Sequence, residues 1–201
     1  MGKIYTVHSI FHTIQGEGCN SGKVAVFVRF AGCNLWSGRE QDRDNATCQF
    51  CDTQFRGGTK MTRQQIVHEV SLYPGIVVFT GGEPLLQLDH ELVRDLKRRN
   101  RYVAVETNGT RQVPPMVDWV CVSPKAGTEI VQTWADELKL VYPQSGMEPW
   151  LARARVSADH MWLSPMDGPS WRDNVDSAVQ YIKTDNRWRL NIQAHKVWEI
   201  A

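Results

Sequence analysis

The stretch C-N-L-W-S-G-R-E-Q-D-R-D-N-A-T-C-Q-F-C-D-T, residues 33 to 53, holds three of the five cysteines in this chain of 201 residues. Fourteen residues separate Cys33 from Cys48, and two separate Cys48 from Cys51. A structural zinc site normally has four Cys or His ligands, and a protein-bound 4Fe–4S cluster normally has four cysteines. Three cysteines on such a cluster would leave one iron open to a substrate or cofactor. From these residues alone, zinc and an iron–sulfur cluster both remain open, whereas a thioredoxin-like dithiol is disfavoured.

The composition is that of an ordinary soluble protein. The chain is 42% hydrophobic and 22% charged, with a net charge of +1, and its length suits one domain with a real core. This charge gives no argument for a nucleic-acid or membrane partner, and no apolar run approaches the roughly 20 residues that span a bilayer. The N-terminus lacks the apolar core of a signal peptide. We therefore expect a cytoplasmic protein, because thiols stay reduced in that compartment. Five cysteines, an odd number, suit a metal or cluster site better than a disulfide framework.

Short apolar strands alternate with loops and helices along the chain. Strands are predicted at residues 5–10, 24–30, 76–80, 102–105, 119–122, 137–141, 161–163 and 187–193. Helices are predicted at residues 62–72, 88–100 and 173–183, with Thr62 and Asp89 as the N-caps of the first two. The strands tend to end in small and polar residues, which is typical of an α/β sheet with its site at the strand C-termini. Because helices are few after the third main strand, the pattern predicts a partial barrel of about six mostly parallel strands. The polar loop 34–47 is predicted to be an exposed insertion.

Two segments near the N-terminus could contact a ligand. Arg29 interrupts an otherwise apolar strand, so it either pairs with a carboxylate or faces an anionic ligand, since an unpaired buried charge is costly. Gly16 and Gly18 flank Glu17, which would let backbone and carboxylate approach a ligand closely, although a plain hairpin turn is the simpler interpretation.

Further motifs follow the next two predicted strands: Gly-Gly-Glu-Pro at residues 81–84 and Glu-Thr-Asn-Gly at residues 106–109. Together with the three cysteines, they resemble the radical S-adenosylmethionine (SAM) enzymes, whose usual motif is C-x-x-x-C-x-x-C. The longer first gap indicates a subgroup. The chain resembles the 7-carboxy-7-deazaguanine synthase family over nearly its whole length, through Gln-Gly-Glu-Gly at 15–18, Arg29, Phe-Cys-Asp-Thr at 50–53, Ser-Pro-Lys at 123–125, Pro-Met-Asp-Gly-Pro at 165–169 and His-Lys at 195–196.

The resemblance implies a fold and a reaction. The fold would be an incomplete radical-SAM (β/α) barrel, one domain over residues 1–201 with a hairpin-like N-terminal extension and a C-terminal extension that caps the substrate. Cys33, Cys48 and Cys51 would bind a 4Fe–4S cluster with SAM at the open iron. The 5′-deoxyadenosyl radical would take a hydrogen atom from C6 of 6-carboxy-5,6,7,8-tetrahydropterin. Ring contraction and loss of ammonia would then give 7-carboxy-7-deazaguanine, a precursor of queuosine.

Site residues carry over by position from the same resemblance. The implied substrate-binding residues are Ile14, Gln15, Gly16, Glu17, Arg29, Thr80, His195 and Ala201, the last through its terminal carboxylate. The implied SAM-binding residues are Phe50, Cys51, Asp52, Gly82, Glu106, Asn108, Ser123, Pro124, Lys125, Ser164, Pro165, Met166 and Asp167. Thr53 would bind Mg²⁺ together with substrate and water oxygens. Ser164 departs from the glutamine that is frequent in the family, which puts that contact in question.

The resemblance also implies a homodimer and a reductant protein such as a flavodoxin or ferredoxin. Two alternatives remain: a radical SAM activase that acts on a protein partner, and a zinc-stabilised binding module without catalysis. Cys19 and Cys121 are predicted to be packing residues, because free cysteine is often buried.

Overall fold

The computed structural model describes residues 2–200 and contains a nine-stranded sheet. The strands are β1 (Ile4–Ile14), β2 (Val24–Phe30), β3 (Thr59–Thr62), β4 (Ile76–Gly81), β5 (Val103–Thr107), β6 (Trp119–Val122), β7 (Trp134–Tyr142), β8 (Ser157–Pro165) and β9 (Trp188–Leu190). The helices are α1 (Arg63–Ser71), α2 (His90–Lys97), α3 (Pro149–Arg155), α4 (Trp171–Thr184) and α5 (Ala194–Trp198). Short 3₁₀ helices occupy Gly18–Asn20, Glu40–Asn45 and Pro84–Leu86. None of the helices among residues 2–200 is long and apolar enough to cross a bilayer.

The strand order is β3-β1-β2-β4-β5-β6-β7-β8-β9. Strand β1 is antiparallel to both of its neighbours, and from β2 to β9 every neighbouring pair is parallel. The two ends of this order do not pair, so the sheet stays open. The predicted partial barrel with few helices is therefore confirmed, although the sheet has more strands than the six or so that were predicted.

Apolar strands and helix faces build the core on one side of the sheet. Buried side chains from β2 and β4 meet the apolar faces of α1 and α2. The rings of Tyr5, Phe30 and Phe79 stack in series with centroid distances of 5.9 and 5.7 Å. This stack packs β1, β2 and β4 together near the C-terminal ends of β2 and β4.

The first two helices begin at the predicted capping residues. Thr62 and Gln65 form a reciprocal capping box at the start of α1, and Asp89 accepts a hydrogen bond from the backbone N–H of Leu92 at the start of α2. Both helices are thereby fixed at the carboxyl side of a short strand or loop.

Several predicted boundaries were wrong. The N-terminal strand extends to Ile14, so residues 11–14 lie in the sheet and not in a turn. The last strand ends at Leu190, and Gln193 precedes α5. The insertion 34–47 is not simply exposed, because Leu35 and Trp36 are buried and a 3₁₀ helix follows them. Strand β3 and helices α3 and α5 were not predicted, since their short sequences carry little periodicity.

Candidate active site

Two adjoining clefts lie at the C-terminal ends of the parallel strands. The first, which we call the cysteine cleft, is lined by Cys33, Cys48, Cys51 and residues at or just after the ends of β4, β5, β6 and β8. The second, which we call the arginine cleft, is lined by residues of β1 and β2, including Arg29, and by α5. Open parallel sheets place ligand sites at this edge, because loops there can vary while the strands hold them rigidly.

The three cysteines of the opening stretch meet in the cysteine cleft. The backbone N–H of Leu35 donates a hydrogen bond to Cys33 Sγ at 3.4 Å, and that of Cys48 donates to the Leu35 carbonyl at 3.2 Å. A hydrogen bond from the Cys48 thiol lowers the pKa of Cys51 to about 6, whereas burial raises the pKa of Cys33. The segment thus favours a thiolate at Cys51, the form that binds metal.

The donor set fits an iron–sulfur cluster. Among residues 2–200, no three His, Cys, Asp or Glu side chains converge on a point where one metal ion could sit. A cluster takes each thiolate on a different iron and needs no such convergence. Three thiols around one roomy cleft, one of them bonded by a backbone N–H, are a suitable set for a cluster with an open iron.

Gly82 lets the loop after β4 pack directly against the cysteine segment. A Cβ at this position would lie 2.2 Å from the Gly32 carbonyl oxygen and 2.7 Å from Cys33 Cβ. The next residue, Glu83, donates its backbone N–H to the same Gly32 carbonyl at 2.9 Å. The glycine is therefore required by close backbone approach, and it fixes the position of the first cysteine.

Glu83 joins the loop after β4 to the loop after β5. The side chain is fully buried, and its carboxylate accepts hydrogen bonds from Thr107 Oγ1 at 2.7 Å and from the Asn108 backbone N–H at 2.8 Å. Burial raises the pKa of Glu83, and these hydrogen bonds oppose the rise. Asn108 in turn donates to Asn34 Oδ1 at 3.0 Å, so the three motif loops form one connected unit.

Most of the residues predicted to bind SAM line the cysteine cleft. These are Phe50, Cys51, Asp52, Gly82, Glu106, Asn108, Ser123, Lys125, Ser164, Pro165 and Asp167. Pro124 and Met166 do not line it; the backbone of Met166 bonds to Tyr142 and Asn174, which anchors its loop. Ser164 is buried, and its hydroxyl oxygen accepts a hydrogen bond from Asn191 Nδ2 at 3.0 Å. The buried hydroxyl of this short side chain therefore has a hydrogen-bond partner within the chain.

Most of the residues predicted to bind substrate line the arginine cleft. These are Ile14, Gln15, Gly16, Glu17, Arg29, Thr80 and His195, while Ala201 lies outside the described residues. Thr53 lines both clefts. The Nε atom of Arg29 is buried with no hydrogen-bond partner in the described part of the chain, and burial lowers the pKa of this guanidinium. A group with unused donors at the wall of a cleft is suited to an anionic ligand.

A buried charge network separates the two clefts. Lys139, on β7, donates hydrogen bonds to Glu17 Oε2 at 2.6 Å and to Glu106 Oε2 at 3.1 Å. The remaining oxygens are also bonded, because Gln193 donates to Glu17 Oε1 at 3.0 Å and Gln15 donates to Glu106 Oε1 at 2.9 Å. Every charged group in this network therefore has a partner.

The network sets the ionisation of Glu17. Burial acts to raise the pKa of this carboxyl, but the Lys139 ammonium and the hydrogen bonds outweigh it and lower the pKa to about 2. The two carboxylates raise the pKa of Lys139 well above its ordinary value despite burial. Glu17 is consequently an anion across the physiological range and can accept hydrogen bonds from a ligand.

Helix α5 closes the arginine cleft by packing on Gly16. A Cβ on Gly16 would lie 2.6 Å from His195 Nδ1, and the Ala194 backbone N–H donates to the Gly16 carbonyl at 3.0 Å. On the outer side, Lys196 Nζ bonds to Asp52 at 2.9 Å and to Asp167 at 2.6 Å. This helix thus touches the N-terminal glycine turn, the cysteine segment and the loop after β8 at once.

Lys139 and Gln193 contribute to the site but were not among the predicted site residues. Lys139 lies in E-L-K-L-V-Y, where a lysine inside an apolar strand is the same signal that drew attention to Arg29. Gln193 gave no such signal, because it was assigned to the last strand and not to the start of a helix.

This chain is similar to known proteins in both sequence and fold. The Radical SAM superfamily model matches residues 45–135. A 7-carboxy-7-deazaguanine synthase from Caulobacter vibrioides is 48% identical over 204 residues, which cover 96% of this chain and 97% of that protein. The synthase from Bordetella pertussis is 46% identical with the same coverage. The fold is similar to that of QueE from Escherichia coli, with a TM-score of 0.72 over 94% of this chain and 93% of that one, at 24% identity.

Proposed function

The chain belongs to the 7-carboxy-7-deazaguanine synthase family of radical SAM enzymes, and on that premise we propose that it converts 6-carboxy-5,6,7,8-tetrahydropterin to 7-carboxy-7-deazaguanine with loss of ammonia. One observation carries the proposal beyond the family name. A cleft that contains three thiols adjoins a second cleft that offers an arginine with unused donors and an ionised glutamate. A carboxylated pterin presents a carboxylate and a guanidine-like N–H edge, which match these two groups.

Cys33, Cys48 and Cys51 would hold the 4Fe–4S cluster, and the rest of the cysteine cleft would hold SAM. When bound, this pair of cofactors supplies the 5′-deoxyadenosyl radical, so the chain itself has to position ligands and exclude water. The backbone at Gly82 lies against the first cysteine, and Asp52, Ser123 and Asp167 offer polar groups to SAM.

In the arginine cleft, the Arg29 guanidinium would bind the substrate carboxylate through its forked donors. Glu17 would accept hydrogen bonds from the N–H edge of the pterin ring. Thr80 and His195 line the same cleft and would orient the ring between these two ends. With both ends bound, one face of the substrate would turn towards the neighbouring cysteine cleft, where the cluster and SAM would bind.

Mg²⁺ would bind where the clefts meet. Thr53 offers one hydroxyl, and the adjacent Asp52 carboxylate is already bonded to Lys196. Since Mg²⁺ prefers six oxygens, the substrate carboxylate and waters would have to complete its shell. Mg²⁺ should therefore bind well only with substrate present.

The remaining parts of the proposal concern the setting of the reaction. We expect a cytoplasmic homodimer that receives electrons from a flavodoxin or ferredoxin and delivers its product to queuosine or a related deazapurine. The family relationship argues against an activase of a protein partner, since the relatives are named for making a small molecule.

The test is an anaerobic assay with reconstituted cluster, reductant, SAM, Mg²⁺ and 6-carboxytetrahydropterin. Mass spectrometry would follow 5′-deoxyadenosine and 7-carboxy-7-deazaguanine. We expect the deazaguanine to form with the wild-type protein and to be lost in the variant Cys33→Ala, which removes one cluster ligand. The matched control is Cys121→Ala, because Cys121 is buried in β6 and lines neither cleft.

Each alternative result has a distinct meaning. Cleavage of SAM without formation of the deazaguanine would preserve the radical chemistry and rule out the substrate. A colourless protein that holds zinc and never cleaves SAM would instead support the binding module. Equal loss of activity in both cysteine variants would show that the Cys33 result reflects folding and not cluster binding.

A further inference from the structure

The insertion between the first and second cysteines, residues 34–47, folds back onto the segment that contains the other two. Its 3₁₀ helix, Glu40–Asn45, places the guanidinium of Arg43 against the backbone of residues 49–51. The Nη1 atom donates to the Gln49 carbonyl at 2.7 Å and to the Cys51 carbonyl at 3.2 Å. One side chain therefore binds the backbone on both sides of Phe50, within the C-x-x-C segment.

The rest of the guanidinium is held just as closely. Nε and Nη2 donate to the two carboxylate oxygens of Glu40 at 2.6 and 2.9 Å, a bidentate pair. The guanidinium also lies over the ring of Trp36, with its central carbon 4.1 Å from the ring centroid. Trp36 is itself buried and packs edge-on against Phe55, so the platform beneath Arg43 is part of the core. Arg43 is thus also held in position by contacts outside the cysteine segment, with Glu40 and Trp36.

Other bonds of the insertion support the same arrangement. Gln49 Nε2 donates to the Asp44 carbonyl at 2.7 Å, and Ser37 Oγ donates to Asp42 at 2.5 Å. The first of these ties the end of the 3₁₀ helix to the residue after Cys48. Arg39, by contrast, has an exposed side chain, and only its backbone takes part through the Trp36 indole and Ser37.

We propose that Arg43 is a positioning residue that clamps the Cys48–Cys51 segment through its backbone carbonyls and so holds both cysteines in place for the cluster. The inference rests on the proposed function, because it assigns these cysteines to the cluster. It gives the insertion a role: the fourteen residues replace a short spacer with a folded element that orders the ligands. If Arg43 instead only forms a surface ion pair with Glu40, replacing it should have little effect on the cysteine segment. Glu40 is 77% exposed, and exposed ion pairs contribute little to stability.

The experiment compares the wild type with Arg43→Met, Arg43→Lys and the matched control Arg39→Met. The first measurement is amide hydrogen exchange of residues 48–53 in the cluster-free protein, with the melting temperature recorded alongside. The second is the rate of cluster loss to an iron chelator under anaerobic conditions, followed by absorbance near the cluster band and by iron content. Neither measurement depends on turnover.

In Arg43→Met, we expect the amides of residues 48–53 to exchange, and the cluster to be lost, on the order of tenfold faster than in the wild type. A hydrogen bond from a charged donor typically changes the equilibrium constant for local opening by about that factor. Arg43→Lys should be intermediate, since one ammonium cannot keep the Glu40 fork and both carbonyls together. Arg39→Met should match the wild type. Wild-type rates in Arg43→Met would overturn the clamp, and so would equal effects in the Arg39 control.

The two proposals can fail separately. If the wild type takes up no cluster, the proposed function fails, and the exchange measurement still tests the clamp in the cluster-free protein. If Arg43→Met does not fold, the lysine variant decides: unchanged exchange and unchanged cluster loss would overturn the clamp, and faster rates at a wild-type melting temperature would support it.

Discussion

Lys139 links two carboxylates at this site, Glu17 and Glu106, which would repel each other without it. Its side chain is buried, and Glu17 is its closest partner. Replacing one member of a buried ion pair leaves an uncompensated charge, which typically costs about 3–5 kcal/mol. The variant Lys139→Met should therefore lower the free energy of unfolding by about that amount, as measured by urea denaturation.

The same variant should acquire a pH dependence that originates at Glu17 and differs from that of the wild type. In the wild type, the pKa of Glu17 is about 2, so the stability that its pairing provides is present above the unfolded-state pKa of about 4.3 and is lost only as the pH falls towards 2. Without Lys139, burial and the nearby Glu106 charge would raise the pKa of Glu17, opposed by Gln193 and His195. Protonated Glu17 could not accept the hydrogen bonds that we propose from the pterin N–H groups, so kcat/KM for the proposed substrate should rise with pH across the neutral range.

The conservative variant Lys139→Arg separates charge from packing. It keeps a cation between Glu17 and Glu106 and should restore the wild-type pH profile, even if its larger head group lowers the overall rate. A Lys139→Met enzyme with the wild-type pH profile would show that Lys139 does not control the ionisation of Glu17.

At the residue scale, the sequence identified side chains that follow a strand or interrupt one. Cys33 and Arg29 were found in this way, whereas Glu17 received a role only through the family resemblance, and the structure brings all three to adjoining clefts. Lys139 carries the same signal as Arg29 but was not predicted, because its partners Glu17 and Glu106 come from distant parts of the chain. Glu83 could not be interpreted from sequence, since its partners Thr107 and Asn108 are neighbours only through the parallel pairing of β4 and β5.

At the scale of elements, strands with continuous apolar runs were predicted well and short segments were not. Strand β6 was predicted with its observed bounds, and α1 and α2 were predicted at their capping residues. Helix α5 has only five residues and depends on contacts with Gly16, Asp52 and Asp167. A helix of five residues is not stable in isolation and is too short to show an apolar periodicity, so it could not be predicted from the sequence.

Helix α5 is held to the cysteine segment and to the loop after β8 by the ion pairs of Lys196 with Asp52 and Asp167. Removing these ion pairs should weaken substrate binding only modestly. The side chains of Lys196, Asp52 and Asp167 are each 41–47% exposed, so the bridge is partly screened and contributes roughly 0.2–1 kcal/mol per pair. We expect Lys196→Met to raise KM for the pterin by roughly two- to fivefold with little change in melting temperature, and the effect should shrink at high salt.

The matched control for that prediction is Lys183→Met, because Lys183 is an exposed residue of α4. Steady-state kinetics at low and at high ionic strength would test the pair of variants. An unchanged KM in Lys196→Met at low salt would mean that α5 is held by its contact with Gly16 alone. A complete loss of activity would mean that Lys196 acts on the substrate directly.

At the scale of the whole molecule, the open sheet brings the two ends of the chain to one wall between the clefts. Glu17 comes from the turn after β1, Gln193 from the start of α5, and Glu106 from the middle of the sheet, and all three line both clefts. Asp52, Thr53 and Thr80 also line both. Since one set of side chains lines both clefts, a ligand that orders this wall in one cleft should prepare it for a ligand in the other.

We therefore expect SAM and the pterin to bind cooperatively. Binding of the pterin to the oxidised, cluster-loaded enzyme would be measured by calorimetry with and without SAM, and binding of SAM with and without the pterin. A coupling of roughly fivefold or more in affinity is typical of linked sites, and thermodynamic linkage requires the same factor in both directions. The variant Gln193→Ala should reduce this factor, because Gln193 bonds to Glu17 across the wall, at 3.0 Å. Equal affinities in the presence and absence of the other ligand would show that the shared wall is rigid and that the two clefts work independently.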